Sequence, residues 1–532
     1  MNKIATYLNE HLLGEVSSAK AMRRRYSRDG SVLTYTPELV VFPRVTNDIR
    51  KVARFAWQMA EKGHVVPLTI RGSGTDTTGA AIGKGIVIST TNHLKNIIHI
   101  APKDKLAHVQ PGVTLHQLNT ALKWQGLTLP NTPADSRTAT VGGAIANNTY
   151  GSNGAVTQAV EKLEVVLANG DVLETGRMSR RDLSKKLGLQ TLEGEIYRKL
   201  EALVEDNAEL LEKLAAKDRD ITGYRNLAAV RAKDGSYDLT PLFIGSQGTL
   251  GIISEVVLNA DFYSSDETRA VIVASDGKMA RDIATQLTEL EPATLELYDG
   301  DLFRQAHKQG AQFTLLGPID QIGTVIYIRL NDFSERAQAH KLKKLRKLTN
   351  KLGIGMVDST DHLIEEFDAI ENVDETLRLT AQDDGVALPL IDGASVPTDR
   401  REAFMDALEE LVNKHHLEMP LLTNILTGVI YAYPQMRLNV VSDKQKLFKF
   451  IADYAQLVKG NGGAFVSDGA EGRLKANAAW AILDDEEVAL YEQLRSIFDP
   501  FGTLNPGVKQ KNELRSLVSA LRSSYDITDS LS

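Results

Sequence analysis

Residues 71–79 read RGSGTDTTG, with three glycines and four hydroxyl side chains between the apolar VVPLTI and GIVIS. A glycine has no Cβ, so backbone there can approach a ligand closely. Successive amide N–H groups in such a turn form an anion-binding nest. Ser73, Thr75, Thr77 and Thr78 add hydroxyl donors, so a diphosphate is satisfied without any lysine. Two further glycine clusters follow, LTLPNTPADSRTATVGGAIANNTYGSNGAV and FIGSQGTLGIISEVVL. One such loop is more often only a tight turn; three in one domain point to a shared ligand. The Rossmann fingerprint fails because Thr77 stands where a third glycine is required. The Walker pattern ending at Gly83-Lys84 fails at Thr78 and Gly85.

The flanking elements are strand-like. LVVF (39–42) reads as a buried strand, followed by a helix capped by Thr46 or Asn47 and ended by Gly63. Its face carries Ile49, Val52, Phe55, Ala56 and Met59. KLEVVLA and DVLETG flank the hairpin turn Asn169-Gly170. Residues 179–218 read as a solvated surface helix with a stripe of Ile196, Leu200, Leu203 and Leu210. Beyond residue 265 the strands AVIVAS, TVIYIRL and LTNILTGVIYAY alternate with amphipathic helices, which reads as a second α+β domain. The expected layout is an N-terminal helical segment (1–35), a ligand-binding domain (36–265), a substrate or cap domain (266–480), a returning segment (481–512) and a polar tail (513–532).

Length and composition set bounds. A chain of 532 residues is too long for one core. A net charge of −8 argues against nucleic acid. The absence of cysteine excludes disulfides, thiolate metal sites and bound iron–sulfur clusters in this chain. The N-terminus, with Ile4, Leu8 and Leu12 at helical spacing, lacks the apolar core of a signal peptide, and no run reaches transmembrane length. A cytoplasmic protein is the expectation.

Together RGSGTDTTGAAI, QPGVTLHQLNTAL, ATVGGAIANNTYGSNGAV and GSQGTLGIISEVV resemble the PCMH-type FAD-binding domain of the vanillyl-alcohol-oxidase superfamily. RRYSRDGSVLTYTPELVVFPRVTNDI and FDPFGTLNPG resemble the branch of D-lactate dehydrogenase, the glycolate oxidase flavin subunit and alkylglycerone-phosphate synthase. The resemblance implies an α+β fold, with a two-subdomain FAD-binding domain, an α+β cap domain and a C-terminal segment that returns to the FAD domain. It assigns FAD contacts to Ile70, Arg71, Gly72, Ser73, Gly74, Thr75 and Asp76. Further along it assigns Ala134, Asp135, Ser136, Thr138, Thr140, Gly142, Gly143, Asn147 and Gly151, then Gly245, Gly248, Thr249, Gly251 and Ile252. Val160 is the expected main-chain contact to adenine, and Asn505 sits in the returning LNPG terminator. Gln247 stands where relatives often carry Glu. Members that tether FAD do so through a histidine near the first loop; Thr75 and Asp76 occupy those places here, which implies noncovalent FAD.

Many 2-hydroxyacid dehydrogenases of this group carry GHxGDGNxH and EHGxGxxK, which supply a divalent metal and a base. Here the second stretch reads DGAEGRLK (468–475), with Asp468 for the Glu and Gly469 for the His. The first maps onto NILTGVIYAYPQ, without histidine. His415 and His416 point to different helix faces, make a poor metal pair and are expected at the surface. No metal is expected. Tyr431, Tyr433 and Arg473 become the catalytic candidates, with Asp468, Glu471 and Lys475 nearby. Arg378 falls where relatives place a carboxylate-binding arginine. The ordinary alternatives are packing for the tyrosines and surface exposure for the arginines.

The implied function is hydride transfer from a small alcohol or 2-hydroxy acid to FAD. Electrons would leave to oxygen, a quinone, an electron-transfer protein or a separate subunit, and a homo-oligomer is compatible with this. Two alternatives stay open: an ether-lipid-synthase-like reaction, and a flavoprotein that carries electrons without turning over a substrate.

Overall fold

The structure is a computed structural model that describes residues 2–133, 136–217, 224–264, 267–360, 364–379, 386–388 and 390–525. Three sheets carry it. The first has the order Glu15–Ser17, Leu39–Phe42, Ile86–Ser89, Leu68–Arg71. Its last three strands are parallel. LVVF and IVIS are buried along their whole length, as parallel strands covered on both faces must be. The N-terminal segment is not helical throughout: Glu15–Ser17 pairs antiparallel with Leu39–Phe42 and belongs to this sheet.

The helix Thr46–Glu61 buries Ile49, Val52, Ala53 and Ala56. Its expected cap is absent, since Val45 holds the N-cap position without a side-chain bond. Asp48, in the first turn, does a different job. It accepts the amides of Arg44, Leu13 and Gly14 and so pins the N-terminal segment to the helix. The second sheet is antiparallel, ordered Val172–Glu174, Val160–Val166, Ile252–Asn259, Leu106–Val109, Ile97–Ala101. The expected hairpin lies at its edge, with Gly170 at φ +84°. Residues 179–218 divide into the helices Arg180–Leu187, Leu192–Asp206 and Ala208–Ala215; Ile196, Leu200 and Leu203 are buried as expected, while Leu211 rather than Leu210 completes the stripe.

The cap domain is a seven-stranded sheet. Its central strands obey the period of two. Ala270, Ile272, Leu295, Leu297, Ile326 and Ile328 form one apolar face, covered by the helices Gly277–Leu287 and Glu335–Leu352. Among the alternate residues, Val271, Tyr298, Val325 and Tyr327 pack into a second apolar cluster, while Arg269, Glu296, Arg329 and Asn424 line a cavity.

The chain then returns. The helix Asp485–Phe498 packs Phe498 edge-on against Phe243 at 5.7 Å. Leu504 bridges Leu68 in parallel, extending the first sheet. The last segment begins as a helix, Leu514–Ser519; Leu521 bridges Leu33, and Tyr525 donates to the Gly30 carbonyl at 2.7 Å. Residues 526–532 lie outside the described residues.

Candidate functional site

A cavity of about 1610 Å³ opens between the glycine loops and the cap sheet. That exceeds the roughly 300–1,000 Å³ that usually houses one small ligand, and leaves room for a dinucleotide and a substrate. Ile70, the loop from Gly72 to Thr78, and Ser136, Thr140, Gly142, Gly143, Asn147, Gly151, Gly248, Gly251 and Ile252 all line it. Gly74 and Gly248 have φ of +84° and +73°, which glycine adopts at no steric cost. Among the described residues the amides of Gly72, Gly74 and Thr75 donate to no protein group. Gly74 is buried and Gly72 and Thr75 are half-buried, and amides facing a cavity in this way suit an anionic partner such as a diphosphate. The donor set therefore fits FAD.

Other expected contacts are placed differently. Arg71, Thr138, Val160, Gly245, Thr249 and Asn505 do not line the cavity. Most of these support the loops from behind. Arg71 is fully buried and donates to the Arg28 carbonyl at 2.7 Å, with its guanidinium 5.2 Å from the Tyr26 ring. Gly245 donates to Ile145 O at 3.0 Å. Thr249 Oγ1 lies 2.5 Å from the Tyr224 hydroxyl. Val160 opens a strand of the second sheet. Asp76 lines the cavity, yet its carboxylate is spent on its own loop, accepting from Thr78 and Ala80 amides at 3.1 and 2.7 Å. Ala134 and Asp135 lie outside the described residues.

Two amides tie the loops together. Asn505 Nδ2 donates to the carbonyls of Ala80 and Gln247 at 2.9 and 2.8 Å, while its Oδ1 accepts Thr69 Oγ1 and Arg473 Nη2, both at 3.1 Å. Gln247 Nε2 donates to Asn147 Oδ1 at 2.8 Å and Thr78 Oγ1 at 3.2 Å, and its Oε1 accepts the Gly472 amide. The amide side chain thus links the first loop, the second loop and the DGAEGRLK stretch. A carboxylate there could not donate these bonds.

Arg473 is not a catalytic residue in this geometry. Its guanidinium is buried away from the cavity and donates to Gly79 O, Pro506 O and Asn505 Oδ1. It clamps the returning segment to the first loop. Burial lowers its pKa to about 10, so it stays cationic at neutral pH. Glu471 and Lys475 are buried with it.

The cap sheet supplies the opposite wall. Glu267 and Arg269, then Glu296 and Tyr298, Arg329 and Asn331, Leu422 and Asn424, and Tyr431 and Tyr433 all line the cavity. They are alternate residues on adjacent strands. Glu296 lies opposite Tyr327 on one side and Asn424 on the other, and Arg269 opposite Arg329. Tyr431 and Tyr433 thus both line the cavity. Tyr431 donates to Asp468 Oδ2 at 2.8 Å; Asp468 Oδ1 accepts the Tyr150 amide at 2.7 Å, joining the two halves. Burial and the Asp468 carboxylate push the Tyr431 phenol well above its usual value, so it keeps its proton. Tyr433 donates to Asp374 at 3.3 Å. The Arg378 side chain lies outside the described residues.

The sequence reading missed Glu296, Asn424, Arg269 and Arg329. The strand Thr294–Asp299 went unrecognised, although its alternation of Leu295 and Leu297 with Glu296 and Tyr298 carries the signal. His415 corrects another expectation: it is buried, bonded to Asp453 at 2.9 Å and packed against Phe450, while His416 is exposed at the left-handed helix end. Among the described residues no group of three His, Cys, Asp or Glu could hold a metal ion. No helix there is long and apolar enough to cross a membrane.

Comparison with known proteins gives two family matches: "FAD binding domain" over residues 37–176 and "FAD linked oxidases, C-terminal domain" over residues 268–508. A D-2-hydroxyglutarate dehydrogenase of Haemophilus influenzae is 24% identical over 97% of this chain and 53% of its own length. The chain thus spans about half the length of such relatives. Glycolate oxidase subunit GlcD of Bacillus subtilis is 24% identical, with 91% of this chain and 92% of the relative covered. Among solved structures, p-cresol methylhydroxylase with substrate bound has a TM-score of 0.69 at 13% identity, covering 96% of each chain. An alkyldihydroxyacetonephosphate synthase has a TM-score of 0.62 at 13% identity, covering 95% of this chain and 84% of the other. These two establish likeness of fold.

Proposed function

We propose, from the premise that this chain belongs to the FAD-linked oxidoreductases, that it oxidises a small 2-hydroxy acid or alcohol using noncovalent FAD and no metal. The observation that carries the reading is the shared cavity: a wall of hydrogen-bonding side chains faces the dinucleotide loops across a space large enough for a substrate. When bound, FAD supplies the two-electron acceptor. The chain's own residues do the rest. The loop from Gly72 to Thr75 holds the diphosphate through main-chain donors. Arg329, anchored by Ser152 Oγ at 3.1 Å and 3.8 Å from Glu371, is positioned to hold a carboxylate. Tyr431 donates a hydrogen bond rather than taking a proton. The 2-hydroxy-acid relatives support this substrate class. The acceptor is external to this cysteine-free chain, and a cytoplasmic location belongs to the same proposal.

The test is anaerobic mixing of the yellow protein with D- and L-2-hydroxy acids, polyols and aromatic alcohols. Bleaching by one class, unaffected by a chelator, is the expected result. Bleaching that a chelator abolishes would refute the metal-free reading. No bleaching by any compound, with dithionite still effective, would favour an electron carrier instead.

Acid precipitation is expected to release all the flavin into the supernatant. His116 is the cavity-lining histidine, at its exposed rim, and yellow colour held in the pellet would contradict noncovalent binding.

A further inference from the structure

We infer that Glu296 takes and holds the proton released by the substrate hydroxyl, with Asn424 as its positioning residue; this rests on the reading just proposed. The geometry selects it. Glu296 projects into the cavity from a strand flanked on both sides in the sheet. Asn424 Nδ2 lies 3.0 Å from both Glu296 Oε1 and the Ser152 carbonyl, so the carboxylate stands one side chain away from the FAD-domain loop. Glu296 Oε2 accepts the Tyr298 hydroxyl at 2.6 Å.

Two nearby carboxylates have structural partners: Asp468 joins the two halves and Glu371 sits beside two arginines. Asp468 is occupied by Tyr150 and Tyr431. Glu371 accepts the Tyr327 hydroxyl at 2.9 Å and lies 3.8 and 3.9 Å from Arg329 and Arg269. The groups facing Glu296 are Tyr298, Tyr327, Arg329, Glu371 and Tyr431. Burial first, and the charge of Glu371 with it, raise the Glu296 pKa to about 7 against the pull of Tyr298, Asn424 and Arg329. That is the range in which a carboxylate serves as a base near neutral pH.

The balance is simple. The hydroxyl O–H bond breaks and its proton goes to Glu296. The carbon's hydrogen leaves with its electron pair to the FAD of the proposed reading, and the carbonyl forms. Glu296 afterwards returns its proton to water.

The test has two arms. Infrared titration of the protein without substrate should show a carboxylic acid signal titrating near pH 7, absent in Glu296→Gln. Identical titrations in the two proteins would overturn the inference. Stopped-flow reduction by whichever hydroxy compound bleaches the wild type should slow about 10²–10⁴-fold in E296Q. The wild-type rate should rise with pH through about 7, the E296Q rate should lose that dependence, and FAD affinity should be unchanged. A loss below about tenfold, or an unaltered pH profile, would also overturn it. Should E296Q fail to take up FAD, Glu296→Asp carries the test: it should be slow yet keep the pH dependence. If no compound bleaches the wild type, the oxidoreductase reading fails, and the infrared arm still decides whether Glu296 titrates there.

Discussion

Lys509→Met should destabilise the protein by about 3–5 kcal/mol near neutral pH, the cost of leaving a buried charge without its partner. Lys509 Nζ lies 2.7 Å from Glu471 Oε2, and neither side chain has any exposure. The Glu471 Oε1 atom accepts Trp480 Nε1 at 3.1 Å, and the Lys509 amide donates to Gly472 O at 3.1 Å. The pair therefore fastens the last segment to the DGAEGRLK stretch, which itself rests on the first glycine loop through the Arg473 and Leu474 amides and Thr78 O. Burial holds the Glu471 pKa above the ordinary carboxylate value even beside Lys509. Without the lysine it rises further. A group whose folded pKa is raised favours folding most below its unfolded pKa and loses that contribution as pH rises through the folded value. The penalty should therefore be smallest in acid and grow toward neutral pH. Glu471→Gln combined with Lys509→Met keeps an acceptor for Trp480, removes the orphaned charge and should recover most of the loss. Urea midpoints of the wild type and the two variants across pH measure this. A single variant that matches the wild type at pH 7 would show that the pair is energetically idle.

Gly72→Ala should weaken FAD binding by roughly 10–100-fold, about 1.4–2.8 kcal/mol, within the usual cost of forcing extra atoms into packed space. A Cβ built on Gly72 stands 2.3 Å from Thr140 Oγ1, but 3.4 Å from Thr140 Cβ. The collision is thus with one hydroxyl. Thr140 is the N-cap of Val141–Asn147, its Oγ1 accepting the Gly143 amide at 3.3 Å. Any side chain at 72 wedges the first dinucleotide loop away from the second. Thr140→Ala removes the obstructing oxygen, so Gly72→Ala/Thr140→Ala should bind FAD more tightly than Gly72→Ala alone. The cap lost by Thr140→Ala costs about 1 kcal/mol of stability by itself. Flavin fluorescence titration of the apoproteins reads both effects. Equal affinity in the wild type and Gly72→Ala would mean that the loops are not held against each other by this contact.

The dinucleotide half of the site was legible because its signal is local. Glycine at 72, 74, 142, 143, 248 and 251 is required wherever backbone must turn sharply or approach a ligand, and that requirement is written residue by residue. Tyr431 and Tyr433 were named because NILTGVIYAYPQ falls where the resemblance places a histidine motif, and both line the cavity. Other roles were not local. Arg71, Thr249, Asn505 and Arg473 occur in or beside the right motifs, yet they brace the loops from outside the cavity. Sequence position shows adjacency to a loop, but not whether a side chain faces the ligand or the support behind it. Arg473 is the clearest case, since its carbonyl partners belong to residues 79 and 506. His415 is another, as its burial depends on Asp453 from a different helix.

The residues by themselves determined the diphosphate-binding glycine loops and the α+β architecture, which rest on short-range backbone demands and hydrophobic period, while FAD and the return through LNPG came from the family resemblance those motifs carry. Only the tertiary structure decided which polar groups meet. Glu296, Asn424 and Ser152 are brought together by strand register and by the docking of one half on the other, across 128 and 272 positions of chain. Register fixes which alternate residues stand side by side, and burial then sets which of them can hold a proton near neutral pH.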